Sequence, residues 1–244
     1  MTKSIIFTLA ALFTFTAASA CEHCKKFEES KDFKIKSAQV IHNKKYGSLE
    51  FEIVVEGKAG KTVPTAVGKL DMAPVLGYVF PTTLRAEDIG FSPTEGIVAL
   101  ALTSHPDFDD SPLWDENADG KFDNDGIVWH PHWVVLVKDE RVKGGLSVKE
   151  YKKADKITKP TTAPDMPMYM DSPGYAVVTQ ENAIRVSVPA YRVNNKVSFN
   201  YDAVSCYMQV SAPEGGMSMD KPMLGVYNVY SVLSGKLTLP YKVK

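Results

Sequence analysis

Hydrophobic and polar positions alternate along much of this chain. Leu49, Phe51, Ile53 and Val55 fall on one side of an extended backbone, while Glu50 and Glu52 fall on the other. Just upstream, Phe33 and Ile35 alternate with Lys34 and Lys36. A period of two built from aromatic and β-branched residues is what a half-buried strand requires. The stretch 43–47 between the runs reads as a turn, so the pattern predicts an early hairpin. Further strands are predicted at 75–80, 97–102, 127–137, 175–178, 183–188, 197–199, 204–210, 226–233 and 236–239. Most are short and bounded by Gly, Pro, Asn or Asp. Asn194-Asn195 reads as a tight hairpin turn, because Asn tolerates positive φ. No segment carries a sustained helical stripe. Ser147 with Glu150 three residues on predicts one short helix at 147–156. The expected class is all-β: a β-sandwich of short antiparallel strands with a long acidic metal-binding loop.

The first twenty residues follow a different rule. Lys3 precedes an apolar run at 5–15, and Ala18-Ser19-Ala20 supplies small residues at a processing site. We read 1–20 as a signal peptide, 21–32 as a polar lead-in and 33–244 as a single β-rich domain. Pro160, Pro164, Pro167 and Pro173 mark 157–174 as the place for any sub-division. The expected location is extracytoplasmic, either periplasmic or secreted. Ala18-Ser19-Ala20-Cys21 also resembles a bacterial lipobox, with Ala18 where that motif prefers Leu. Lipidation of Cys21 is the one membrane attachment the chain suggests.

Three cysteines outside the cytoplasm call for an account. A lipidated Cys21 leaves Cys24 and Cys206 to pair; otherwise Cys21 and Cys24 act together and Cys206 is a buried thiol. The formal net charge is −1 and the basic residues form no stripe, so no nucleic-acid partner is expected.

Between the predicted strands at 97–102 and 127–137 lies Asp115-Glu116-Asn117-Ala118-Asp119-Gly120-Lys121-Phe122-Asp123. Residues 107–125 hold eight acidic side chains and one Lys. The segment resembles the calcium loop of EF-hand and related proteins. Calcium takes six to eight oxygens, and alternate side chains on a tightly curved backbone can converge on it. The resemblance implies ligands from Asp115, Asn117 and Asp119 and from the Lys121 carbonyl. Gly126 stands where the EF-hand has its bidentate Glu, and the flanks read as loop and strand. The missing carboxylate must come from Asp123, Asp125 or the upstream Asp107, Asp109 and Asp110. The alternative is a solvated turn using Asp and Asn for its geometry.

Trp129-His130-Pro131-His132-Trp133 places two imidazoles on one face of an extended chain. An H-x-H pair on a strand suits zinc, copper or iron. His105, at the end of the preceding predicted strand, becomes a third ligand if the two strands pair. The alternative has these histidines stiffening the acidic loop by hydrogen bonds.

Methionines cluster at Met166-Pro167-Met168-Tyr169-Met170 and again at 217–223. Extended, Met166, Met168 and Met170 set three thioethers on one side. This resembles the Met-rich segments of extracytoplasmic copper proteins, since thioethers favour Cu(I). The alternative is that Met fills irregular gaps. A free amine on Cys21 followed by Glu22 and His23 would add a square-planar Cu(II) motif.

Two functions are therefore expected, the non-catalytic module first and the enzyme as its alternative. One is an exported, calcium-stabilised β-domain that binds metal or a partner and handles copper. The other is an extracytoplasmic metalloenzyme with zinc or copper on His105, His130 and His132. A third, adhesion through the loops, is the least specific.

Overall fold

A computed structural model describes residues 22–108, 110, 115, 118–121, 125–152, 154–213, 216 and 218–244. The expected signal segment and Cys21 lie outside the described residues.

The chain is nearly all β and wholly antiparallel. In chain order the strands are β1 (Ile35–Asn43), β2 (Ser48–Val55), β3 (Pro74–Pro81), β4 (Ile97–Ser104), β5 (His130–Lys138), β6 (Leu146–Val148), β7 (Met170–Asp171), β8 (Val177–Gln180), β9 (Ala183–Pro189), β10 (Asn200–Tyr201), β11 (Val204–Val210), β12 (Leu224–Val232) and β13 (Tyr241–Lys242). The predicted early hairpin is β1–β2, with Val40 opposite Phe51.

One sheet has four strands in the order β1-β2-β9-β8. Its buried face carries Leu49, Phe51, Ile53, Ile184, Val186 and Val188, while Glu50, Glu52, Arg185 and Ser187 take the other. The larger sheet runs β4-β3-β11-β12-β6-β5, and a β4–β5 ladder joins its ends. Where alternation alone suggested a sandwich, this sheet closes into a six-stranded barrel with β7 added on β5. Strands before and after 157–174 share both sheets.

Closure gives the barrel strands two buried faces. Along β3, β4 and β5, Leu76, Tyr78, Phe80, Leu100, Leu102, Trp133 and Val135 face outward into one core with the four-stranded sheet. Val75, Val79, Ala99, Ala101, Val134 and Leu136 face inward, joined by Cys206, Met208, Met168 and Met170. Gly77 belongs to this inner face: a β-carbon there would lie 2.7 Å from the Met208 methyl.

The barrel is thinnest between β6 and β12, where Ser147 pairs with Gly225. Polar side chains reinforce that join. Arg141 bridges Asp139 at 2.7 Å and Glu150 at 3.1 Å. Ser147 Oγ donates to Asp139, and Glu150 accepts from the Met223 amide at the start of β12. The helix expected at 147–156 is therefore absent: residues 146–148 form β6, and both supposed capping side chains serve this network.

Other differences are local. Residues 190–193 form a 3-10 turn ending on left-handed Asn194 and Asn195, so the positive φ is met without a hairpin. Leu237 and Leu239 both adopt positive φ, which breaks the strand expected at 236–239. Part of the supposed polar lead-in is buried: Cys24 and Phe27 join the outer core, and Tyr230 donates to the Cys24 carbonyl. Cys24 is disulfide-bonded and Cys206 is a free thiol, which excludes a Cys24–Cys206 bridge. Burial pushes the Cys206 thiol up to about 12.

Candidate metal centre

The β4–β5 ladder sets Thr103 opposite His130 and Ala101 opposite His132. Side chains two apart share a face, so both imidazoles enter one end of the barrel. His105 follows β4 directly, and its amide donates to the Gly126 carbonyl. That contact folds the loop end back over the barrel. A β-carbon at Gly126 would sit 2.5 Å from the His105 carbonyl and 2.7 Å from His105 Nδ1. Gly126 is thus a glycine because His105 and the Phe108 carbonyl, 2.3 Å from such a carbon, pass against it.

Four ligand-type atoms, from His105, Asp110, His130 and His132, lie within 4.8 Å of one another. His105 Nε2 and His130 Nε2 are 2.8 Å apart. Asp110 Oδ1 lies 3.3, 3.5 and 3.6 Å from Nε2 of His105, His130 and His132. Four ligands at about 2.0–2.1 Å from one ion sit roughly 3.0–3.4 Å from each other in tetrahedral or octahedral geometry. The observed separations bracket that range.

The other ring nitrogens explain why Nε2 points inward. His105 Nδ1 donates to the Phe108 carbonyl at 3.0 Å, and His130 Nδ1 to the Val128 carbonyl at 2.6 Å. A carbonyl only accepts, so these bonds place the proton on Nδ1 and a lone pair on Nε2 in the neutral rings. His132 Nδ1 is held by Ser172 Oγ at 3.0 Å. His105 also stacks on Phe108, with ring centroids 4.0 Å apart. Two lone pairs facing across 2.8 Å repel, and a shared cation would turn that repulsion into two bonds.

The charges agree. Burial alone would raise the Asp110 carboxyl, but the surrounding imidazoles outweigh it and hold the group well below its ordinary range. Burial pushes His132 down to about 3; crowding by His130 and His105 adds to this, and Asp110 opposes it. A buried carboxylate beside an imidazole that burial disfavours protonating is a donor set suited to a metal cation.

The methionines meet the histidines here. Met166, Met168 and Met170 line one small cavity with His105, Phe108, Asp110 and His132. β7 brings them in by pairing Met170 with Val134 on β5. Sequence spacing treats the two clusters as separate features; the fold joins them.

The sequence offers Asp110 only as a calcium ligand, whereas the fold sets it among the histidines. The available signal was its position five residues after His105, too loose a spacing to specify a ligand. Asp107 is committed elsewhere, accepting from the amides of Val67 and Gly68.

The acidic loop is described in part. Asp115 accepts from the Asp119 amide at 3.0 Å and the Gly120 amide at 2.8 Å. Asp119 accepts from the Lys121 amide, and Gly120 adopts φ +77°. Asn117, Asp123 and the Asp125 side chain lie outside the described residues, as do Asp109 and the His23 side chain.

Comparison with known proteins finds no family model, no curated protein and no solved structure that this chain matches.

Proposed function

We propose that this protein is an exported metalloenzyme that holds one divalent transition-metal ion on His105, His130, His132 and Asp110. One observation carries the reading: three imidazole nitrogens and a carboxylate oxygen converge inside the barrel, with each Nδ1 anchored behind them. Three nitrogens and one oxygen suit zinc, iron, cobalt, nickel or copper, whereas calcium and magnesium take oxygen. When bound, the ion would supply Lewis acidity. His132 also borders a larger interior cavity. A site opening on such space favours an enzyme over an ion that merely cross-links loops. The disulfide at Cys24 and the signal-like residues 1–20 support export, since disulfides persist in oxidising compartments.

Copper is the second reading, favoured by the thioethers of Met166, Met168 and Met170 beside the histidines. Replacing Met168 and Met170 with Leu should then weaken Cu(I) binding and leave Zn(II) binding unchanged. Calcium on the acidic loop is a separate proposal. Each Asp115 oxygen retains a lone pair beyond its backbone bond, and EGTA should lower the melting temperature if an ion uses them.

The main test is elemental analysis of protein purified without added metal, followed by metal titration. One equivalent of transition metal is expected. His132→Ala and Asp110→Asn should each weaken binding by at least about 100-fold. Absence of stoichiometric binding in the parent protein would end the reading.

A further inference from the structure

A second cavity, of about 240 Å³, occupies the barrel interior and is walled by Val79, Ala101, Val134, Met208, Leu224 and Val226 among others. Almost every side chain around it is apolar. Thr103, His132, Met170 and Leu224 border both this space and the small cavity holding Asp110 and His105. The two spaces therefore meet at the proposed metal centre.

Besides the proposed metal ligands, one buried hydroxyl lies at that meeting point. Thr103 is 2% exposed and its Oγ1 has no hydrogen-bond partner among the described residues. Leaving a buried hydroxyl unpaired costs about 1–3 kcal/mol. Valine has nearly the same shape and would avoid that cost. Thr103 faces inward because its ladder partner is His130. An apolar chamber with few convergent polar groups is how small-molecule sites are built.

We infer that the barrel interior binds a small, largely apolar molecule bearing one oxygen head group, as in phenols, medium-chain alcohols and simple carbonyl compounds. The head meets the Thr103 hydroxyl at the His132 end, and the apolar body lies among Val79, Met208 and Val226. Size follows from volume. A cavity of about 150 Å³ accommodates benzene, so this one suits about ten non-hydrogen atoms. A second charged or polar group on the ligand would face only hydrocarbon and is excluded.

The position of the head group beside an ion rests on the metal reading above; the apolar site itself does not. The probes are naphthalene, which has no head group, and 1-naphthol, which has one. Each is titrated calorimetrically into metal-loaded and chelator-treated protein. One equivalent of each should bind the metal-loaded protein. Thr103→Val should weaken 1-naphthol about tenfold, the factor for one ordinary hydrogen bond, and leave naphthalene unchanged. Ala101→Leu, which fills the chamber, should abolish binding of both while metal content stays at one equivalent. Retained metal content shows that the variant has folded.

Failure of both probes to bind metal-loaded protein overturns the inference and leaves the metal reading standing. Naphthalene binding to a protein that takes up no metal would have the opposite effect. Equal loss of both probes in Thr103→Val would overturn the assignment of Thr103 to a head group.

Discussion

On one side of β3, β4 and β5 lie Tyr78, Phe80, Leu100, Leu102 and Trp133; on the other lie Val75, Val79, Ala99, Ala101 and Val134. The same strands thus build two unlike cores. In the outer core, Phe51 from the four-stranded sheet meets Phe80 edge-on at 5.2 Å and Trp133 at 6.2 Å. Large rings interlock there and fill the space. The inner core uses small aliphatics, methionine and cysteine, and leaves a cavity bounded at one end by His132. Close packing contributes rigidity on one side of the wall. The open space lies on the other.

Substitutions can break or sharpen that contrast. The largest stability effect is expected in the outer core, where Phe51→Ala should cost about 3–5 kcal/mol in urea unfolding. A loss below about 1 kcal/mol would mean that the rings do not hold the layers together. Next comes the loop that aims His105. Gly126→Ala forces a β-carbon against the His105 carbonyl and Nδ1. It should weaken metal affinity about 10–100-fold in a chelator competition, although Gly126 contributes no ligand. Parent-like affinity would show that the loop yields without moving the ring.

A smaller effect is expected at the join between β6 and β12. The bonds from Arg141 are the largest influence on Asp139; burial opposes them, Ser147 assists, and the carboxyl falls to about 2. A folded value below the unfolded one stabilises the protein above the unfolded value, about pH 4, and that contribution fades as pH falls toward 2. Arg141→Met should therefore cost about 1–2 kcal/mol at pH 7, given that Arg141 is one-third exposed. The difference from the parent protein should shrink between pH 4 and pH 2. A pH-independent difference would assign the effect to packing.

The finest comparison adds one methylene to each core. Val186→Leu, in the filled outer core, should cost about 1–3 kcal/mol, whereas Val226→Leu, facing the cavity, should change stability by less than about 1 kcal/mol. Equal costs would mean that the inner space is not available to a side chain.

Much of this organisation was legible along the chain. The alternation at β2 and β9, with one buried and one polar face, announced strands directly. Trp129-His130-Pro131-His132-Trp133 announced paired imidazoles. Barrel closure was not legible, because it depends on a β4–β5 ladder and a single Ser147–Gly225 pair joining distant segments. Nor could spacing show that Met166–Met170 and Asp110 would reach the histidines. The helix expected at 147–156 failed for an instructive reason. Ser147 and Glu150 have the spacing of a capping box, but both side chains tie β6 to its neighbours. A local signal was outweighed by partners far along the chain.

Trp133 lies between His132 and Val134, pointing the opposite way and 1% exposed. Sliding β5 by one position would turn both imidazoles into the aromatic layer and push the indole into the barrel. The indole therefore acts as a registration pin for the two imidazoles. Placement of the candidate ligands thus depends on the outer aromatic layer, whose packing fixes which way each residue of β5 faces.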